Sequence, residues 1–281
     1  MGWRFNGSLT VPLKCLTVGL ATQLQLRPVA EMRIRLHADF ALEARHLQPL
    51  APPAQADQTQ VRDAAAGVQA TLAWLWKIKW ERENKETLWR LAVDGIPLRG
   101  NTHLHGLQPE RCGCGGYGGP GPQPTSPRAH HFWGCPVAQA VVQQISAHVP
   151  SPVSQAHVWL VEAPAGIQQC VWDIVAPAAL TAMEKARVGL RAASNHTTGG
   201  AAGQATATAS AQGIPPPVEV AKARAVLEFW QRIRSFAALG VPRKGWDGVG
   251  PDHPILSVHE GHLTAAMPAD IEGLEADGWE G

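Results

Sequence analysis

Charge is scarce in this chain: only 17% of its 281 residues are Asp, Glu, Lys or Arg. The 24 basic side chains nearly cancel the 23 acidic ones, leaving a formal net charge of +1. That balance argues against a large basic surface of the kind that coats nucleic acid. No run of about 18 apolar residues is present, so a membrane-spanning helix is not expected. A secretory signal is not expected either: Lys14 and Pro12 interrupt the one apolar region near the start, and no clean small-residue cleavage site follows. Met1-Gly2 would open a myristoylation signal, but Asn6 stands where Ser or Thr is needed. The expectation is a soluble intracellular protein, nuclear or cytoplasmic, with no membrane partner. Five cysteines (Cys15, Cys112, Cys114, Cys135, Cys170) are too few and too unevenly spread for a disulfide framework. Tyrosine is nearly absent as well, with 1 Tyr and 5 Phe against 11 Trp.

What the chain does have is apolar residues (45%), glycine (28) and proline (23). The first excludes a wholly disordered chain, and the length allows a sizeable core in one or two domains. The other two require long loops or linkers. Periodicity divides the chain into five segments. Residues 1–57 form an N-terminal helical segment and linker: a helix over Leu16 to His46 with a break at Pro28, then Pro49, Pro52 and Pro53. Residues 58–150 begin with Val61, Ala65, Val68, Leu72 and Leu75, which step by four and three and predict a long helix. Trp74, Trp76, Ile78 and Trp80 widen its apolar surface. A second helix is expected from about Asn84 to Gly95.

After a Gly/Pro-rich stretch over 96–134, Cys135 and Pro136 fit the N-cap and first position of a helix bearing Val137, Val141 and Ile145. Residues 151–193 are read as a helical extension, with a helix from Ala176 to Ala193 and Pro177 in its first turn. Residues 194–217 are a low-complexity linker. Residues 218–281 hold a last helix, Val218 to Leu239, with Gly240 placed as its C′ residue, and an irregular tail with five acids from Asp270 to Gly281. The fold class is therefore mainly α, with a small irregular Cys/His zinc knuckle and long loops.

Cys112-Gly-Cys114, His130-His131 and Cys135 place soft and borderline ligands within 24 residues. Zinc takes four such groups in a tetrahedron, and the 15 residues between Cys114 and His130 are enough chain to fold back. At a helix N-terminus the Cys135 thiolate is favoured by free amides and the helix dipole. Four ligands leave no open position, so the ion would be structural. Spacing leaves two matters open: which of His130 and His131 coordinates, and whether these are ordinary free cysteines in a glycine-rich loop. His103 and His105 are near enough in sequence to compete.

The run Leu88-Trp89-Arg90-Leu91 leading to Ile96-Pro97-Leu98-Arg99, then Cys112-Gly-Cys114, then His130-His131-Phe132-Trp133-Gly134-Cys135-Pro136-Val137-Ala138 resembles the reverse-transcriptase zinc-binding domain. That domain lies at the C-terminal end of non-LTR retrotransposon polyproteins, and the likeness covers roughly residues 70–150. It implies that His130 takes the ligand place beside Cys112, Cys114 and Cys135, with His131 as the alternate and one structural Zn2+. The pattern departs from the family's usual CxxC by its CxC, and Ser126 stands where an acidic residue is often found.

The likeness does not extend to a polymerase. Paired metal-binding aspartates are required to hold two cations, whereas no Asp-Asp pair occurs and Tyr117 lies in the glycine run. P-loop, G-x-S-x-G and dinucleotide motifs are absent, and His259-Glu260-Gly261-His262 lacks the gap of a zincin helix. His253, His259 and His262 read as a surface loop.

No enzyme and no small-molecule substrate are expected. Trp76 and Trp80 interleave with Lys77, Lys79, Arg82 and Arg90, a pattern that serves either core packing or contact with RNA or DNA. The expected function is a non-catalytic, retroelement-derived module with structural zinc and an RNA or DNA partner. The alternatives are a metal-free helical interaction protein and a degenerate relic without function; protein partners are not legible.

Overall fold

In a computed structural model, residues 2–5, 9–12, 18–47, 57–96, 112–114, 126–198, 217–240, 246, 248–260, 262–269 and 271 are described. The linker over 48–56, the stretch 97–111 with His103 and His105, the glycine run with Tyr117, and most of the low-complexity and acidic segments lie outside them. The protein is mainly helical, and two antiparallel hairpins complete it among the described residues. It divides into two compact units, Met1–Ala70 and Thr71–Gly281.

In the first unit, β1 (Gly2–Phe5) pairs with β2 (Leu9–Pro12), with Trp3 opposite Val11. Helix α1 (Val18–Ala44) follows. The expected break at Pro28 does not occur: the helix runs through it, although proline removes one i→i−4 bond there. Ala38 of α1 packs with Val61 and Ala65, and Ile34 and Ala64 lie against them. Those valine and alanine positions belong to α2 (Gln58–Leu75), whose stripe Val61, Ala65 and Val68 is buried as its period requires.

The second unit is built around one long helix. Its elements are the end of α2, α3 (Arg82–Ala92), the short α4 (Pro127–Ala129), a π-helical turn (His130–Gly134), α5 (Pro136–Ser146), α6 (Gln155–Trp159), α7 (Gln169–Thr198), α8 (Pro217–Ala238), β3 (Leu256–His259) and β4 (His262–Ala265). Helix α7 touches α3, α5, α6, α8 and the π turn. Every residue from 171 to 183 is buried, so this helix has no solvent face over those turns. All of these residues but Asp173 and Thr181 are apolar, as a central helix needs. Its start is seven residues earlier than the sequence period indicates. Pro177 therefore sits inside the helix and not in its first turn.

Trp159, Trp172, Phe132, Phe229, Trp230 and Phe236 fill the space around α7 and are almost fully buried. Their polar edges are met where they reach a carbonyl: Trp172 Nε1 donates to His157 O at 2.7 Å, and Trp159 Nε1 to Phe132 O at 3.2 Å. One polar network joins three helices. Arg232 of α8, itself buried, binds Asn84 and Glu228 (2.6 Å) and faces Glu83 at 3.5 Å. Lys185 of α7 reaches the same two glutamates, Glu83 at 3.3 Å and Glu228 at 3.1 Å. The expected histidine loop is instead a hairpin, in which His259 stands opposite His262 and both are exposed.

Candidate metal centre

The site begins with a helix cap. Ser126 Oγ accepts from Ala129 N at 3.0 Å and starts α4, with Pro127 preset for the first turn. Buried Arg128 then donates to Leu91 O at the end of α3 (3.0 Å), while its guanidinium lies over the Trp159 ring at 5.7 Å. These two contacts fix the direction in which the next turn leaves.

That turn is wider than an α turn. Cys135 N donates to His130 O at 2.6 Å, an i→i+5 bond, over the π-helical residues His130–Gly134. On an α-helix, residues five apart point about 140° away from each other. The extra residue in the π turn brings His130 and Cys135 back toward one side. Its freed carbonyls find donors: Gln139 Nε2 reaches Trp133 O at 2.5 Å, and the Trp159 indole serves Phe132 O. Cys135 is the N-cap of α5, with Pro136 after it, as the sequence indicates.

Residues 112–114 complete the group from the other side. Gly113 lies so close to α7 that an added Cβ would come within 2.7 Å of Leu190 Cγ and 3.0 Å of its carbonyl oxygen. Cys112 and Cys114 flank this contact and turn inward. The Sγ atoms of Cys112, Cys114 and Cys135 and a His130 ring nitrogen all lie within 4.8 Å of one another. Cys112 Sγ is 3.8 Å from Cys135 Sγ, and Cys114 Sγ is 3.4 Å from His130 Nε2. Around a tetrahedral ion with bonds of ~2.3 Å to sulfur and ~2.0 Å to nitrogen, those edges would be ~3.8 and ~3.5 Å. The group could hold one metal ion.

The electrostatics of the cluster show what a cation would relieve. Hydrogen bonds with Cys114 and Cys135, then burial, push the Cys112 thiol far above its ordinary range. Burial acts to lower the His130 pKa, but hydrogen bonds to Cys114 and Cys135 outweigh it and raise the value to about 9. Metal ligation displaces ligand protons, so a divalent cation here would relieve the raised values of Cys112 and His130. His131 lies outside this group. It is buried with its ring edge-on to His130, and burial, then Arg187 and His130, lower its pKa to about 3.

The tryptophan–cation stretch separates into two kinds of residue. Trp80 is buried with its ring edge-on to Phe236 at 5.3 Å, so that ring is core and not a stacking face. Trp76 is 44% exposed and Trp89 37% exposed. Lys77 and Lys79 are exposed, Arg82 pairs with Glu86 at 3.4 Å, and Arg90 is half-buried. Two features had no sequence signal that the helical period could carry: the π turn, and the approach of Gly113 to Leu190. The Gly between two cysteines was the only visible hint of the second.

Compared with protein-family models, with curated proteins and with solved structures, the chain matches none of them. Among the described residues, no helix is long and apolar enough to cross a membrane.

Proposed function

We propose that the chain is a non-catalytic helical module that binds one structural Zn2+ through Cys112, Cys114, His130 and Cys135. The observation that supports this reading is the mutual approach of three sulfurs and one imidazole nitrogen within 4.8 Å. Soft thiolates with one imidazole in a tetrahedral set suit zinc, and four protein ligands leave no position for a substrate. The ion supplies cohesion. It would hold residues 112–114 against the π turn and the start of α5, a place where glycine-rich chain has few apolar side chains to bury. The ligand pattern and the flanking Trp-Arg-Leu segment favour descent from a retroelement zinc-binding domain, whose expected partner is RNA or DNA.

Metal analysis of protein purified without added zinc tests the reading. The expected result is about one tightly held equivalent, lost in Cys135→Ser, with Co2+ substitution giving the visible bands of a tetrahedral thiolate site. Less than about half an equivalent, or zinc content unchanged by Cys135→Ser, would refute it.

A further inference from the structure

Trp76 and Trp89 are too exposed to be explained as core, and they are not isolated. Lys85, one helical turn before Trp89, lies over the Trp76 ring at 5.4 Å and donates to Ile78 O at 3.1 Å. The side chain of Lys85 thereby clamps the turn that carries Trp76 onto α3. Both exposed indoles thus neighbour Lys85, whose own side chain is buried.

The charges around the rings are unevenly matched. Glu83 is engaged by Lys185 and Arg232, Glu86 by Arg82, and Glu81 accepts from Asn84 at 3.1 Å. Among the described residues, Lys77, Lys79 and Arg90 have no ion pair, against two acids of the segment without one, Glu81 and Asp94. Flat π faces beside uncompensated cations fit a polymer that offers flat bases and anionic phosphates. A duplex keeps its bases stacked on each other, so only an unpaired strand can present them to an indole.

We infer that the exposed indoles of Trp76 and Trp89 bind single-stranded nucleic acid by stacking on bases, while Lys77, Lys79 and Arg90 meet phosphates. The inference deepens the nucleic-acid side of the proposed function, and the metal ligands take no part in it. Stacking does not read the sugar, so DNA and RNA strands bind alike.

Fluorescence anisotropy with labelled oligo(dT) and oligo(U) of about 12 nucleotides, and with a duplex of the same length, tests it. Zinc is quantified in the same samples. Both strands should bind and outcompete the duplex, and three phosphate contacts should weaken binding roughly 20-fold between 50 and 200 mM salt. Trp76→Ala and Trp89→Ala should each weaken it about 5- to 150-fold, with Trp76→Phe retaining most of the affinity. Both positions are exposed, and unchanged circular dichroism verifies that these variants fold. No binding by zinc-loaded protein, equal affinity for duplex, or full affinity in both alanine variants would overturn the inference. Sedimentation showing a dimer that depends on Trp76 would overturn it in favour of a second copy of this chain. Strand binding by protein without zinc would support it while refuting the metal reading alone.

Discussion

A methyl group at position 113 would meet both the side chain and the backbone of Leu190, and the backbone contact at 3.0 Å cannot be relieved by a rotamer change. Gly113→Ala should therefore force residues 112–114 off α7. Overpacking of this kind costs about 1–3 kcal/mol. The cysteines on either side move with it, so zinc retention should fall about 10- to 100-fold, as for groups that orient metal ligands. Competition with a chromophoric chelator measures it; zinc held as tightly as in the unchanged protein would show that the loop can retreat freely. Single residues were legible in the sequence where their chemistry is the signal. Three thiols and a histidine pair announce a possible metal group whatever surrounds them. Trp80 and Trp76 could not be separated in that way, because one is buried against Phe236 and the other exposed, and that difference is decided by an element more than 150 residues away.

Elements were legible where one face of a helix meets the core. The stripe on α2 and the Cys135-Pro136 start of α5 follow from period and capping. Helix α7 was read short because it is buried all round, which leaves no period to detect, and because Pro177 imitates a first-turn proline. The β3–β4 hairpin was missed because its residues read as punctuation, yet His253 gives it a defined start. His253 Nδ1 accepts from Ile255 N and Leu256 N, both at 3.3 Å, and burial lowers its pKa below 6.5. Acceptance requires a neutral nitrogen. With the folded value depressed, the unfolded chain takes up the proton first as pH falls from 6.5. The contribution of His253 is complete above pH 6.5 and is lost as pH falls through the folded pKa. Amide exchange at Leu256 should accelerate over that window, beyond the intrinsic pH trend, and His253→Asn should flatten the response. An exchange rate that follows only the intrinsic trend would exclude this linkage.

All four candidate ligands belong to the unit Thr71–Gly281, and the Ala38–Val61–Ala65 cluster belongs to Met1–Ala70. Removing the metal should therefore act unequally across the molecule. With a strong chelator, hydrogen exchange should rise first in the peptides covering residues 112–114 and 126–146. Peptides covering residues 34–44 and 58–68 should keep their protection, since local opening follows the contacts that are lost. A uniform rise along the chain, or none, would count against a localised structural ion. This division into units was not legible in the sequence. Helix α2 continues across the boundary at Ala70, and Gly67 within it does not interrupt the winding, so composition places the break at the proline-rich stretch before Gln58.

The widened turn between His130 and Cys135 sets two ordinary goods against each other. Gly134 is exposed, and a Cβ there would meet nothing closer than the Ala129 carbonyl at 3.7 Å, so Gly134→Ala is sterically permitted. Alanine favours regular helix over glycine by about 1 kcal/mol. Regular winding would slide the register by one residue and swing the imidazole about 100° away from the thiols. The substituted apoprotein should then melt higher than its parent, while the gap in melting temperature between loaded and stripped forms narrows. A change that any helix designer would call an improvement should here loosen the ion's grip without touching a single ligand.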